Sequence, residues 1–582
     1  MYRPVLSVIT GLLGLSLVGC AHLSDSQSAA DASDAAPEAA ALEPKQAPLD
    51  YASFDQDTLY SLLSAEVAAQ RGRYDVTLVN YIEAAKSSRD VGVIQRAMRI
   101  AQSLNGDNAQ LQLANLWLEV QPDNLEAHRV AAIQYVRQKD FDLALYHMEK
   151  ILAQGQDADF DDLAALASTL PDEDKQHLLD LYRDLEERHP DNSEIKYGIA
   201  LLLRANGDTA GAMKQLDPLL DDSESSPFQP ALVLKGELLY QAGKKDEAIE
   251  FLRYQSRRFP ENRKLGTLYG RMLIEDKQMQ AAEDQFEALH ERFPDVPGLQ
   301  LSYALIALEN GEHDVARENL IALIENDQHA DEAHYYLGRL EDDAGNTQTA
   351  IDEYGQVSEG NHYLPAIARA TYLRGQQGEL DSALADLRML RQQAPDISES
   401  LWLIEVNTLL DLDQNDDALG AATEALVDFP ENTRIRYARA MLFDQMDRDA
   451  EAEADLRYIV EAQPENAVAL NALGYILTSD DSRLDEAMTL LEKAHQLEPE
   501  NPAILDSIGW AHFKLGNMEK ALEYLRQAYA AFPDPEVAAH FGEALYVNGE
   551  QDQAEVIWNR GQEDNPDDTL IEETRQRLGA GS

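Results

Sequence analysis

The chain has 582 residues, 44% of them hydrophobic and 26% charged, so it carries enough apolar surface to fold and is too long for one ordinary compact core. Asp and Glu number 106 against 48 Lys and Arg, a net charge of −58, which repels phosphate backbones and argues against nucleic acid as a partner. The acidity is either a solvated surface or a field that steers basic partners. The single cysteine, Cys20, rules out an internal disulfide, a thiolate metal cage and a redox pair.

At the start of the chain Arg3 supplies a positive charge, the stretch from Val5 to Val18 is apolar, and Leu17-Val18-Gly19-Cys20 closes it with small residues. The apolar run is short for a bilayer span. A cleaved secretory signal or a membrane helix with a chance cysteine is the competing reading, but the arrangement resembles a bacterial lipoprotein signal. That resemblance implies that residues 1–19 are a signal peptide, that Cys20 is acylated, and that two or more acyl chains anchor the protein stably. Ala21 stands where inner-membrane lipoproteins carry Asp, which implies the outer membrane, with the protein facing the periplasm. Residues 20–50 are Ala, Ser, Asp, Pro, Glu and Gln with almost no large apolar side chain. They read as a flexible, lipid-anchored tether.

From residue 51 to about 570 the pattern is amphipathic helical spacing, interrupted every dozen or so residues by Gly, Asn, Asp or Pro. Tyr81 and Ala84 mark a first weak repeat, Tyr135, Ala144 and Met148 another, and Ala212 and Leu216 another. Between Gln154 and Asp191 the small residues are missing, although Tyr182, Leu185 and Pro190 are kept, so the register there is open. Stronger repeats follow as Gly236, Ala248, Leu252 and Pro260, as Gly270, Ala282, Phe286 and Pro294, and as Gly338, Ala350 and Tyr354. Pro395, Pro430, Pro464, Pro499, Pro533 and Pro566 are 35, 34, 35, 34 and 33 residues apart. This period resembles the tetratricopeptide repeat.

The chemistry inside each period agrees with that resemblance. In the repeat ending at Pro533, Leu505, Ile508 and Gly509 lie on a first helix and Ala521, Leu525 and Ala528 on a second. Gly509 or Ala521 is needed where the helices approach closely, Leu525 fills the seam, and the proline ends the second helix. Leu473, Gly474, Ala487, Leu491 and Ala494 repeat the pattern, as do Phe541, Gly542, Ala554 and Trp558. The expected fold is all-α, a right-handed superhelical solenoid of about fifteen such hairpins with a concave groove, followed by a tail at residues 571–582.

Catalytic signatures are absent: the sequence contains no H-E-x-x-H, G-x-S-x-G or P-loop pattern and no cysteine pair. The 13 histidines do not form i,i+4 pairs of the metal-ligand kind, so no metal, no cofactor and no enzymatic activity are expected. The groove is then the candidate site. In the tetratricopeptide family the ligand-facing positions of the first helix lie one and five residues beyond its first apolar seam position. The resemblance therefore selects Asn471 and Tyr475, Asp506 and Trp510, and Tyr335 and Arg339, with Tyr240, Arg271, Tyr372 and Tyr437 from neighbouring repeats. Aromatic and arginine side chains there suit capture of a protein partner; the alternative for each is packing against the next repeat. The lysine-rich clamp that some relatives use for carboxyl-terminal tails is not evident.

The signal, the Ala-rich tether, the length, and Leu59-Tyr60-Ser61-Leu62-Leu63 with Tyr81-Ile82-Glu83-Ala84-Ala85 together resemble the long tetratricopeptide lipoproteins of pseudomonads and their relatives. Those proteins bind a periplasmic carboxyl-terminal processing protease and present cell-wall hydrolases to it. The resemblance implies a non-enzymatic adaptor in which protease and hydrolase meet. A scaffold for envelope assembly, serving outer-membrane insertion, pilus secretion or polysaccharide export, is the alternative, and a cell-wall enzyme or synthase regulator is a third class.

Overall fold

The computed structural model describes residues 54–220, 227–566 and 569–580. The signal peptide, Cys20 and the tether lie outside the described residues. Within them the chain forms 31 α-helices and no strand, an all-α solenoid of helical hairpins. No helix among the described residues is long and apolar enough to cross a membrane.

The local chemistry of the repeats explains their ends. The second helices Asn415–Asp428, Asp449–Ala462, Leu484–Leu497 and Met518–Ala531 each stop two residues before Pro430, Pro464, Pro499 and Pro533, where the ring can no longer continue a helix. Two residues after the first three of these prolines an Asn caps the next helix. Asn432 accepts from Ile435 N–H at 2.9 Å, Asn466 from Ala469 N–H at 3.0 Å and Asn501 from Ala503 N–H at 3.0 Å. Asp534, one residue after Pro533, accepts from Glu536 N–H at 3.0 Å. Each cap satisfies an otherwise orphaned donor and is worth about 1 kcal/mol.

Inside a hairpin a small residue of the first helix faces a large one of the second, sixteen or seventeen positions on. A Cβ added to Gly509 would stand 2.8 Å from Leu525 Cγ, and one added to Gly474 2.7 Å from Leu491 Cγ. Leu491 and Leu525 are fully buried, and burial of each contributes about 2 kcal/mol. The turn between the two helices needs a left-handed residue, supplied by Gly516 at φ +76° and, one hairpin after Pro430, by Asp447 at φ 57°.

The chain divides into two compact units between Asp159 and Phe160. The first contains the hairpins from Gln56–Gln70 to Phe141–Leu152, built around Ile94, Met98, Leu113 and Trp117. In it the buried rings of His128 and His147 meet Nδ1 to Nδ1 at 2.8 Å, and His128 Nε2 is 2.9 Å from the Pro122 carbonyl. The second unit begins irregularly. The six-residue helix Phe160–Ala165 and the long helix Asp172–Arg188 both pack chiefly on Ser193–Ala205. Buried Tyr182 donates to the Phe160 carbonyl and fills the space over Gly198 of the following helix. A large side chain here lies against the next repeat, which accounts for the open register of residues 154–191.

Of the stretch expected as a tail at 571–582, most of the described part is helical. Leu570–Leu578 is a helix packed on Pro535–Val547, with Ile571 buried and Arg577 donating to both oxygens of buried Glu543 at 2.7 and 2.6 Å. It covers an apolar flank that a last hairpin would otherwise leave open.

Candidate protein-binding face

Within the second unit, first helices of successive hairpins touch one another directly: Ala467–Leu477 lies against Pro502–Lys514, and Pro502–Lys514 against Pro535–Val547. Residues one period apart therefore fall into rows. Asn471, Asp506 and His540 form one row, and Tyr475 and Trp510 another. These rows converge on His540. Its Nδ1 is 2.8 Å from Asp506 Oδ2 and its ring stacks on Trp510 at 4.1 Å. Tyr475 donates its hydroxyl proton to Glu536 Oε1 at 2.6 Å and stands 3.5 Å from His540 Nε2. Asp506 and His540 are buried, Tyr475 and Trp510 are half-buried, and Glu536 is exposed at the first turn of its helix. The cluster thus spans the interior and the surface.

Its electrostatics are dominated by carboxylates. Burial pushes the Tyr475 phenol far up, and Glu536, Asp506 and Asp444 push it further. Burial, then the charges of Asp449, Glu536 and Asp447, hold the Asp444 carboxyl above its ordinary range. Burial works against a charge on His540, but Asp506, by its charge and its hydrogen bond, together with Glu536 and Glu543, raises the imidazole above its usual value. The contact with Asp506 thus favours the protonated imidazole. Two acceptors in this neighbourhood have no donor: Asp506 Oδ1 and Asn471 Oδ1 are both buried and unpartnered.

All ten residues selected from the sequence lie on first helices, but they fall into three separate groups. Asn471, Tyr475, Asp506 and Trp510 belong to the cluster just described, with Tyr437 half-buried beside Asp444, whose charge adds to burial in raising its phenol. Tyr335 stacks on His362 at 4.3 Å, Arg339 lies 5.7 Å over the neighbouring Tyr336 ring, and Tyr372 sits under Arg369 at 5.1 Å and accepts from Gln376 at 2.8 Å. Tyr240 lies under Lys245 at 5.3 Å, with its phenol pushed up to about 12 by burial and by Glu275. Arg271, exposed, stands 3.9 Å from the same Glu275. His540, Glu536, Asp444 and His362 are the members that sequence reasoning missed. His540 was within reach, since it lies one period after Asp506. Among the described residues no group of three His, Cys, Asp or Glu is placed to hold a metal ion.

Stacked helical hairpins presenting aromatic and acidic side chains from their first helices define a repeat scaffold that binds other proteins. Models of the tetratricopeptide repeat match residues 179–230, 301–363, 405–467 and 480–539. The chain is 39% identical over 504 residues to TPR repeat-containing protein PA4667 of Pseudomonas aeruginosa, covering 86% of this chain and 85% of that one. It belongs to the tetratricopeptide-repeat family that this relative represents. Among solved structures, yeast Tom70 aligns over 89% of this chain and 99% of its own at 13% identity and a TM-score of 0.34. Naa15/Naa10 bound to HypK-THB aligns over 90% and 96% at 11% identity and a TM-score of 0.33. The tetratricopeptide fold is typically a non-catalytic scaffold for protein–protein interaction.

Proposed function

We propose that this scaffold is an outer-membrane lipoprotein, anchored through Cys20 and facing the periplasm, that binds a carboxyl-terminal processing protease and delivers peptidoglycan hydrolases to it. The observation that supports a large protein partner is the outer surface of the first hairpin. Leu59, Leu63 and Val67 recur every four residues along Gln56–Gln70, with Tyr60 beside them and Tyr74 and Val79 on the second helix. Leu59 is 50% exposed, Leu63 59% and Tyr60 73%. Side chains of this size on a helix face that no other described residue covers suit a protein interface. They include the Leu-Tyr-Ser-Leu-Leu segment that carries the resemblance to protease-adaptor lipoproteins. Holding protease and hydrolase on one scaffold raises their effective concentration without forming or breaking a bond.

Crosslinking in cell envelopes followed by purification of the tagged protein tests the reading. A processing protease and wall hydrolases are expected among the captured proteins, and the purified protein is expected to speed cleavage of a hydrolase by that protease. Secretion or polysaccharide-export machinery captured in their place, with no effect on cleavage, would overturn it.

A further inference from the structure

We propose that the face around Tyr475 and Trp510 accepts the cationic side chain of a lysine or arginine presented by a partner protein. This inference deepens the scaffold reading by naming the chemistry of one contact, and it does not depend on the partner being a protease.

Three carboxylates from three different hairpins, Asp444, Asp506 and Glu536, bear on the single hydroxyl of Tyr475. Facing them is the His540 imidazole, 2.8 Å from Asp506 Oδ2. The charges that act most strongly on Tyr475, Asp444 and His540 include no lysine or arginine, so negative charge predominates in the cluster. An anionic ligand would add to the repulsion. Asp506, only 5% exposed, keeps Oδ1 without a donor, and Asn471 Oδ1 is in the same condition. Buried acceptors left in this state lack the hydrogen bonds that such atoms nearly always make, and an apolar ligand would leave them so. An ammonium brings three N–H donors and a guanidinium five, with no acceptor to be left over. Trp510 is already stacked on His540 at 4.1 Å and on Phe513 at 5.0 Å, so the half-buried ring of Tyr475 beside the carboxylates is the one placed to add cation–π attraction. The −58 charge of the chain draws such a partner in from a distance.

The test uses the full-length chain and a fluorescent decapeptide containing two lysines flanked by leucines, with its arginine version and its acetyl-lysine version, read by anisotropy at two salt concentrations. The lysine and arginine peptides are expected to bind about tenfold or more tightly than the acetylated one, with the difference shrinking in high salt. Asp444→Asn with Glu536→Gln, both at positions that leave the buried pair intact, is expected to abolish the discrimination. Asp506→Asn tests the buried acceptor separately. Equal binding of the acetylated peptide, no binding by any peptide, or unchanged discrimination in the double variant would each overturn the proposal. Capture of a protease is measured in a different assay, so failure here leaves the adaptor reading standing, and failure there leaves this one.

Discussion

The imidazole of His540 lies flat on the indole of Trp510, with ring centroids 4.1 Å apart and planes inclined by 18°, so an aromatic face and the Asp506 carboxylate hold the same ring. His540→Ala removes both supports and leaves Asp506 buried without a counter-charge. Breaking a buried pair from one side costs about 3–5 kcal/mol. Amide exchange in the helices Pro502–Lys514 and Pro535–Val547 is expected to accelerate by about a hundredfold or more. His540→Phe keeps the stack and loses the charge, and comparison of the two variants apportions the effect.

The two histidine sites respond to pH in opposite directions. Burial, then the charge of His128, lowers His147 to about 4, so between that value and about 6.5 the unfolded chain binds a proton that the folded chain refuses. The first unit is therefore expected to be most stable above pH about 6.5 and to lose on the order of 1–2 kcal/mol as the pH falls to about 4, with solvent screening allowed for. The stabilisation from His540, whose imidazole is raised, is complete below pH about 6.5 and is lost as the pH rises through its folded-state value. Melting curves of wild type, His147→Phe and His540→Phe across pH 4 to about 9 check both signs.

Gly509 should tolerate no side chain unless Leu525 yields. With Leu525 Cγ 2.8 Å from the place a Cβ would take, Gly509→Val is expected to cost about 2–3 kcal/mol by overpacking. Leu525→Ala alone is expected to cost a similar amount by leaving a cavity. The double variant should recover part of the loss, and a double-mutant cycle in urea measures the coupling.

The first hairpin offers a substitution that separates docking from folding. Leu59→Glu with Leu63→Glu places charges on side chains that are already half or more exposed, so the melting temperature is expected to move little. Capture of the protease from envelopes is expected to fall about tenfold or more, as for charges placed in an apolar interface core. Unchanged capture would remove this surface from the proposed docking site.

The fold was legible because its signals are local and periodic. Proline spacing marked the hairpins, and the Gly509–Leu525 and Gly542–Trp558 pairs were readable as small residue against large at a fixed separation. The helix over 570–578 was not readable, since the sixteen residues after Pro566 offer no second period to compare. Residues 154–191 were obscured because Tyr182 fills the space over Gly198 of the next repeat and so departs from the pairing within one hairpin. The binding face was half legible. Tyr475, Asp506 and Trp510 stood out by position and residue type, whereas Glu536 and Asp444 sit off the selected rows and join the cluster only through packing across four hairpins. Arg271 and Tyr240 were selected by the same rule and meet a different carboxylate, Glu275.

Most small-to-large locks of this protein close inside a single hairpin, and the Asn that starts each of three later hairpins is only two residues past the proline that ends the one before. Each such hairpin carries its own stop, its own start and its own clasp. A stack assembled this way can be lengthened or shortened by whole hairpins without inventing a new joint, much as a zip fastener is cut to length between teeth. The cation-seeking cluster is the exception, because its parts come from hairpins more than one period apart. Loss or gain of one hairpin between Asp444 and Glu536 would dismantle it while leaving every clasp closed.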